Sequence, residues 1–447
     1  MCLINSILSK LSTLLSAPKL NVLSQICKSI LTLPNKVTML DISRYTGKSY
    51  RTIQRFFSIK NIPWNRLNTK IFQQFVYNKF DIYLFASDET VEPKVGTDTF
   101  GIARFFSNLR KAVISSVAFM TMSVVSVNRN KSFPLATEQV IKSPKVEIAS
   151  QPAKAKSKNT DAPKKPKGRP KGSKNKPKEV SKDVQYVVLE KLLQLVTTLL
   201  IAVLGVLPSS YLLLDGYFGN QHYMRLALKY NLHLISKLKV TAALYFPYDG
   251  VCAGKGRKPK YGNKVNAKNI NDKYLVSTRQ EDGFLYQTYQ FHAWSKNYTD
   301  ALLNIVVIVC KNLETGKGGH CILFSTDLNL SYLNMVDYYS LRFQIEFNFR
   351  DAKQYFGLAD FKNYKEAQVT NAVNLSFFMC NFAYILIEHF KEHFNLKKVS
   401  ILDLKAFYRT ENIANDALRL KIKQKKTVNF FNMEQIFNIA KKQAVNF

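Results

Sequence analysis

SYLNMVDYYSLRFQIEFNFRDAKQYF, running from Ser331 to Phe356, holds neither Gly nor Pro and opens on a helix-capping Ser. One continuous helix is expected over it. At about 100° per residue, Leu341, Ile345, Phe349, Ala352 and Phe356 fall on one apolar stripe. Tyr339, Arg342, Glu346, Arg350 and Lys353 fall on a second stripe, roughly opposite. Solvated helix faces mix charges loosely, with Glu–Lys pairs four apart. Here one carboxylate stands among three cations and a Tyr. A lone acid flanked by cations suits a metal-bound carboxylate beside a phosphate backbone. A salt-bridged surface helix would give the same pattern.

The 447 residues around this stretch suffice for two or three domains and a large core. Hydrophobic residues at 46% and aromatics at 13% place the chain among globular proteins. Lys and Arg number 65 against 31 acids, a net charge of +34. That excess points to a polyanionic partner, most simply nucleic acid. A membrane surface, the rival, would need an anchor. The first thirty residues carry Ser, Lys, Asn and Gln throughout, so no signal peptide is expected. The longest apolar run, Leu192 to Leu207, is shorter than the ~20 residues of a spanning helix and reads as a buried core helix. Six Cys lie scattered without a C-x-x-C pair, which suits a reduced, cytoplasmic chain without structural zinc.

Residues 1–80 read as helical. LDISRYTGKSYRTIQRFF, Leu40 to Phe57, has the form helix, Gly turn, helix, with Ser49 as cap of the second helix. Arg51, Gln54 and Arg55 face outward there, with Ile53 and Phe56 inward. Both a helix-turn-helix entering a DNA groove and a plain helical pair fit. From Phe80 the period changes: DIYLFASDET, FGIARFF and AVISSVAFMTMSVVSV read as three strands in a meander. Residues 142–182 carry fourteen Lys or Arg and three acids, a composition expected to remain disordered. Within them, KKPKGRPKGSKNKPK (Lys164 to Lys178) centres on Gly168-Arg169-Pro170, flanked by Lys167 and Lys171. It resembles an AT-hook, which lies in a narrow A·T minor groove; a generic basic linker is the alternative. A helix over 186–206 and a strand, YLLLDGYFGN, follow. Residues 221–330 read as strand-rich, with a second basic loop, AGKGRKPKYGNK. Helix returns up to Phe394, and 395–447 read as a helical, Lys-rich tail.

Three acids occupy informative places. Asp88 and Asp215 each end an apolar strand, and Glu346 lies on the opening helix. Strand ends bring side chains to the rim of a sheet, where α/β folds build their sites. Three carboxylates there would hold two Mg²⁺ ions about 4 Å apart, activating a water or a 3′-hydroxyl at a phosphodiester. For either Asp alone, capping a turn is the simpler reading. The order strand–Asp, strand, strand, helix, strand–Asp, helix–Glu is the layout of a ribonuclease-H-like α/β domain. That domain would span 81–394, with the 142–182 insertion and a strand-rich insertion at 221–330.

Tyr339, Arg342, Glu346 and Lys353 match Y-x2-R-x3-E-x6-K, and in this the chain resembles bacterial insertion-sequence transposases of the DDE type, in the branch with a β-strand insertion. Asp88-Glu89-Thr90 resembles that family's first-acid block, and Asp215-Gly216-Tyr217-Phe218 its second. The resemblance covers residues 81–362. It implies a bacterial, nucleoid-associated transposase with Asp88, Asp215 and Glu346 as the metal-binding triad and Mg²⁺ as cofactor, Mn²⁺ substituting. Arg342, Arg350 and Lys353 would hold transposon-end phosphates, with Tyr339 beside them. Trp294 is the candidate for stacking a flipped base; as a strand Trp it also suits a core. The implied partners are double-stranded DNA, as terminal inverted repeats and target, and a second copy in a synaptic complex. Asp327 also ends a strand and is a rival ligand. His389 and His393, four apart on a helix, have no third ligand nearby in sequence. No G-x-x-x-x-G-K-[ST] loop is present, so no ATP site is expected. The alternatives are a catalytically silent DNA-binding relative and a stand-alone metal-dependent nuclease.

Overall fold

The computed structural model describes residues 3–34, 36–107, 110–142, 183–251 and 258–423. The hook-like segment with Lys167, Arg169 and Lys171 lies outside them, as do most of the 142–182 insertion, part of the second basic loop, and the tail beyond Lys423.

Among the described residues the chain opens with five helices: α1 (Leu3–Ser9), α2 (Ala17–Thr32), α3 (Met39–Thr46), α4 (Tyr50–Phe57) and α5 (Trp64–Ile71), the last running into a π turn. Local chemistry shapes the α3–α4 pair. Thr38 Oγ1 accepts from the Asp41 amide to start α3, and Gly47, at φ 66°, ends it. Ser49 Oγ accepts from the Thr52 amide to start α4.

Four strands follow: β1 (Tyr83–Pro93), β2 (Ala103–Ser107), β3 (Ala112–Ser126) and β4 (Lys131–Val140). They do not form the expected three-strand meander. β3 pairs antiparallel with β1 on one edge and with both β2 and β4 on the other. β4 was illegible because Pro134 interrupts its pattern. That Pro sits where the β3–β4 register shifts, on a strand that among the described residues pairs only with β3, and there a missing N–H is tolerated.

Helix α6 (Val184–Leu204) leads to β5 (Tyr211–Leu213), and helix α7 (Gln221–Lys229) to β6 (His233–Leu238). β5 is only three residues long, shorter than YLLLDGYFGN suggested. It ends because Asp215 turns the chain into a 3-10 turn at Gly216–Phe218. β1, β5 and β6 run parallel. From β6 the sheet continues through β7 (Leu244–Pro247), β8 (Tyr261–Lys264), β9 (Leu275–Glu281), β10 (Phe284–Ser295), β11 (Tyr298–Asn312) and β12 (Gly318–Ser325). The order is β2-β3-β1-β5-β6-β12-β11-β10-β7-β8, with β4 on β3 and β9 on β10. The strand-rich region therefore extends the central sheet, and its first strand, β6, belongs to the parallel core.

The opening stretch is not one helix. It folds as α8 (Tyr332–Leu341) and α9 (Gln344–Tyr355), with Arg342 and Phe343 in a tight turn closed by the Arg342 amide to Tyr339 O and the Phe343 amide to Ser340 O, both 3.2 Å. The apolar stripe is buried throughout, but two cores share it. Leu341 joins Leu213, Ile235 and Leu323 under α8, while Ile345, Phe349, Ala352 and Phe356 join a second core. That second core unites the N-terminal helices with α10 (Glu366–Phe394) and α11 (Ile401–Lys423), bringing the two ends of the described chain together.

α6 corrects another expectation. Only one stripe, including Leu189, Leu192, Leu193, Val196 and Leu200, is buried on the sheet, while Val187 and Ile201 are exposed. By length and composition alone both α6 and α10 are apolar enough to cross a membrane; of the most apolar 18-residue window, 78% is buried in α10 and 33% in α6.

Candidate active site

β1 and β5 lie in parallel register, with Phe85 opposite Leu212 and Ala86 opposite Leu213. Side chains alternate across a strand. Two residues beyond the last pair, Asp88 and Asp215 therefore occupy matching positions on the face that packs against α8. β5 leaves the sheet at this point while β1 continues to Pro93. Asp88 is thus not at a strand end, as expected, but in mid-strand where its neighbour has departed. The crevice is the one that parallel sheets use for ligands.

The backbone around Asp215 is tightly held. Ser236 Oγ on β6 donates to Asp215 O at 3.0 Å. A Cβ on Gly219 would lie 2.4 Å from Lys237 O, so β6 and the turn after Asp215 approach as closely as only glycine permits.

The α8–α9 turn brings Arg342 over these strands, and the first turn of α9 brings Glu346. One guanidinium joins all three acids. Arg342 Nη1 donates to Asp88 Oδ2 at 3.1 Å, and Nη2 to Glu346 Oε1 at 3.2 Å, with Asp215 Oδ1 at 3.8 Å. The Arg342 side chain is 13% exposed, against 21% for Asp88, 40% for Glu346 and 47% for Asp215. Burial raises the Asp88 carboxyl to about 6; the Glu89 amide and Arg342 oppose that rise, and Asp215 and Glu346 add to it. Burial pushes the Tyr339 hydroxyl up to about 12.

The other sequence candidates are placed as follows. Lys353 pairs with the buried Glu92 at 2.6 Å, and Arg350 pairs with Asp351 at 2.9 Å over the Phe347 ring. Trp294, half-buried on β10 beneath Lys260 at 3.6 Å, lies four strands from β5, about 19 Å at ordinary strand spacing. Asp327 accepts from the Tyr211 hydroxyl at 2.6 Å. Tyr211 begins β5, so Asp327 sits at the opposite end of the sheet from Asp215. Arg51 and Arg55 are exposed on α4. His389 and His393 are exposed, their rings stacked 6.2 Å apart. Trp64 is buried and donates to Asn371. Reading the residues alone missed Glu92. Asp88, Thr90 and Glu92 lie at period two on one strand face, and that alternation was its signal.

Among the described residues, no group of three or more His, Cys, Asp or Glu is arranged to hold a metal ion as it stands. The donor set nevertheless fits one. Three hard carboxylate oxygens converge on a single cationic side chain, the donor chemistry that a divalent ion takes.

The fold and site define an α/β protein whose acidic crevice lies where two parallel strands part. The family model described as DDE superfamily endonuclease matches residues 11–300, well over half the chain, and the chain belongs to that family. It is an enzyme that acts on DNA, in a superfamily whose nucleases generally use divalent metals. The match includes Asp88 and Asp215 and ends before Glu346. No curated protein matches the chain.

Proposed function

We propose that this protein is a DNA transposase that hydrolyses a phosphodiester at transposon ends and joins the freed 3′-hydroxyl to target DNA. The observation that carries this reading is the convergence of Asp88, Asp215 and Glu346 on Arg342. The strand order β4-β3-β1-β5-β6, with the third acid on a helix over the parallel strands, supports a ribonuclease-H-like catalytic domain.

Asp88, Asp215 and Glu346 would hold Mg²⁺, with Mn²⁺ able to substitute. The metal supplies a Lewis acid that lowers the pKa of a bound water and offsets charge on the leaving oxygen. Arg342, which pairs with all three carboxylates here, would give them up to such an ion, and its planar fork would fit a backbone phosphate at the DNA end. Arg350 on α9 and Arg51 and Arg55 on α4 would add phosphate contacts along the duplex. Two copies would hold two ends together in a synaptic complex.

The test uses the full chain, Mg²⁺ and DNA ending in the terminal repeats of its own element. Wild type is expected to nick at the repeat boundary, and Glu346→Gln to lose at least about 10³-fold in rate. Equal nicking by both would remove Glu346 from the chemistry. Cleavage that ignores the repeats would mark a stand-alone nuclease, and binding without cleavage a silent relative.

A further inference from the structure

The alternating face of β1 carries Asp88, Thr90 and Glu92, with Lys94 just past its end, and Glu92 and Lys94 perform no role in the chemistry above. Thr90 and Glu92 are each 4% exposed. Glu92 Oε1 lies 2.6 Å from Lys353 Nζ on the last turn of α9. Lys94 Nζ donates to Phe361 O at 2.7 Å and stands 3.4 Å from the centre of that residue's ring, gripping the segment just beyond α9.

These contacts form a series. Four residues along β1 separate Asp88 from Glu92, about 13 Å. Seven along α9 separate Glu346 from Lys353, about 10 Å. The helix therefore runs beside the strand, with the Arg342–Asp88 contact before its start and Lys353–Glu92 at its end. Between them Ile345, Phe349 and Ala352 pack without direction, and the buried Asn348, donating to Ser132 Oγ at 2.8 Å, ties α9 to β4, so Lys353–Glu92 is the directional contact on the β1 side at the end of the helix. A buried ion pair adds little net stability, yet it fixes register, because any slip leaves a buried carboxylate unpaired.

We propose that Glu92 is a positioning residue, whose pair with Lys353 sets the register of α9 on β1 and so holds Glu346 beside Asp88. Lys353 then serves the protein's own geometry before it serves any DNA phosphate. The kinetic part of this inference rests on the DNA-cleavage reading; the structural part does not.

The experiment compares Glu92→Gln, Lys353→Met and the charge-exchanged pair Glu92→Lys/Lys353→Glu. The measurements are amide hydrogen exchange of residues 344–355, DNA affinity, and end cleavage at saturating DNA. Each single variant is expected to speed exchange in α9. Each is also expected to lower turnover about 10- to 100-fold, the scale of an ångström's misplacement, with DNA affinity within about twofold of wild type. The exchanged pair is expected to recover slow exchange and part of the turnover. Should Glu92→Gln not fold, Glu92→Asp keeps the charge and is expected to show the same changes more weakly. The proposal is overturned if Glu92→Gln leaves α9 exchange and turnover at wild-type values while Lys353→Met weakens DNA binding. If the wild type cuts no DNA, the cleavage reading fails, and α9 exchange alone still decides the role of Glu92.

Discussion

Arg342 is the residue on which three acids depend in the metal-free protein. Removing it leaves three carboxylates facing one another in a half-buried crevice, and losing one partner of such a cluster is costly. Arg342→Ala is expected to lower the metal-free melting temperature by several degrees, about 2 kcal/mol for a partly exposed cluster. It is also expected to increase the stabilisation by Mg²⁺, since no guanidinium then competes for the carboxylates. Calorimetric melts with and without Mg²⁺ check both effects, and melts identical to wild type would discount the competition. Asp88 adds a pH signature to the same measurement. Its carboxyl, at about 6 against an ordinary 3.8, is raised chiefly by burial. The folded protein therefore holds a proton that the unfolded chain releases, and metal-free stability falls as pH rises from 3.8 towards 6. A divalent ion needs the ionised form, so its stabilising effect fades as pH drops below about 6.

At the scale of elements, the turn after Asp215 is the sensitive part. β5 contributes only three residues, held between β1 and β6, yet it must place Asp215 level with Asp88. The Ser236 hydroxyl, donating to Asp215 O, and the close approach of Gly219 to Lys237 O hold that turn. Gly219→Ala would set a methyl against a carbonyl that cannot yield. It is expected to cost about 1–3 kcal/mol and to reduce cleavage more than DNA binding. A variant with full activity and wild-type melting would show that the turn can relax. The same elements show what was legible beforehand. The acids, the charged stripe and the capped α3–α4 pair were readable because each depends on local spacing. The break at Arg342, the shortness of β5 and the fourth strand were not, because each answers to tertiary demands: two cores sharing one apolar stripe, a departing neighbour, and a Pro absorbed by a register shift. Glu92 lay between these cases. Its alternation with Asp88 was visible, but its partner, 261 positions away, was not.

For the whole molecule, the question is how the α3–α4 pair, proposed to contact DNA, relates to the crevice. α3 and α4 are fastened to the segment following α9. The Asp360 carboxylate accepts from the Val37 amide, Gln368 donates to Ser58 Oγ, and Asn371 donates to both Phe57 O and Ile59 O. Each bond spans more than 300 positions of sequence, so the α3–α4 pair and the helix bearing Glu346 belong to one packed body. A duplex held by Arg51 and Arg55 would then meet the acids at a fixed distance rather than through a flexible tether. With a net charge of +34, general affinity for DNA is abundant, and two surface cations matter mainly for placement. Arg51→Ala/Arg55→Ala is accordingly expected to weaken binding to the cognate end about tenfold and to reduce the salt dependence by about two counterions. Affinity for unrelated DNA should fall less, and nicking should spread over neighbouring phosphates. These are measured by binding isotherms across a salt series and by mapping nicks at nucleotide resolution. If both DNAs lose affinity equally and the nick stays at one phosphate, α4 only adds charge, and another surface sets the distance.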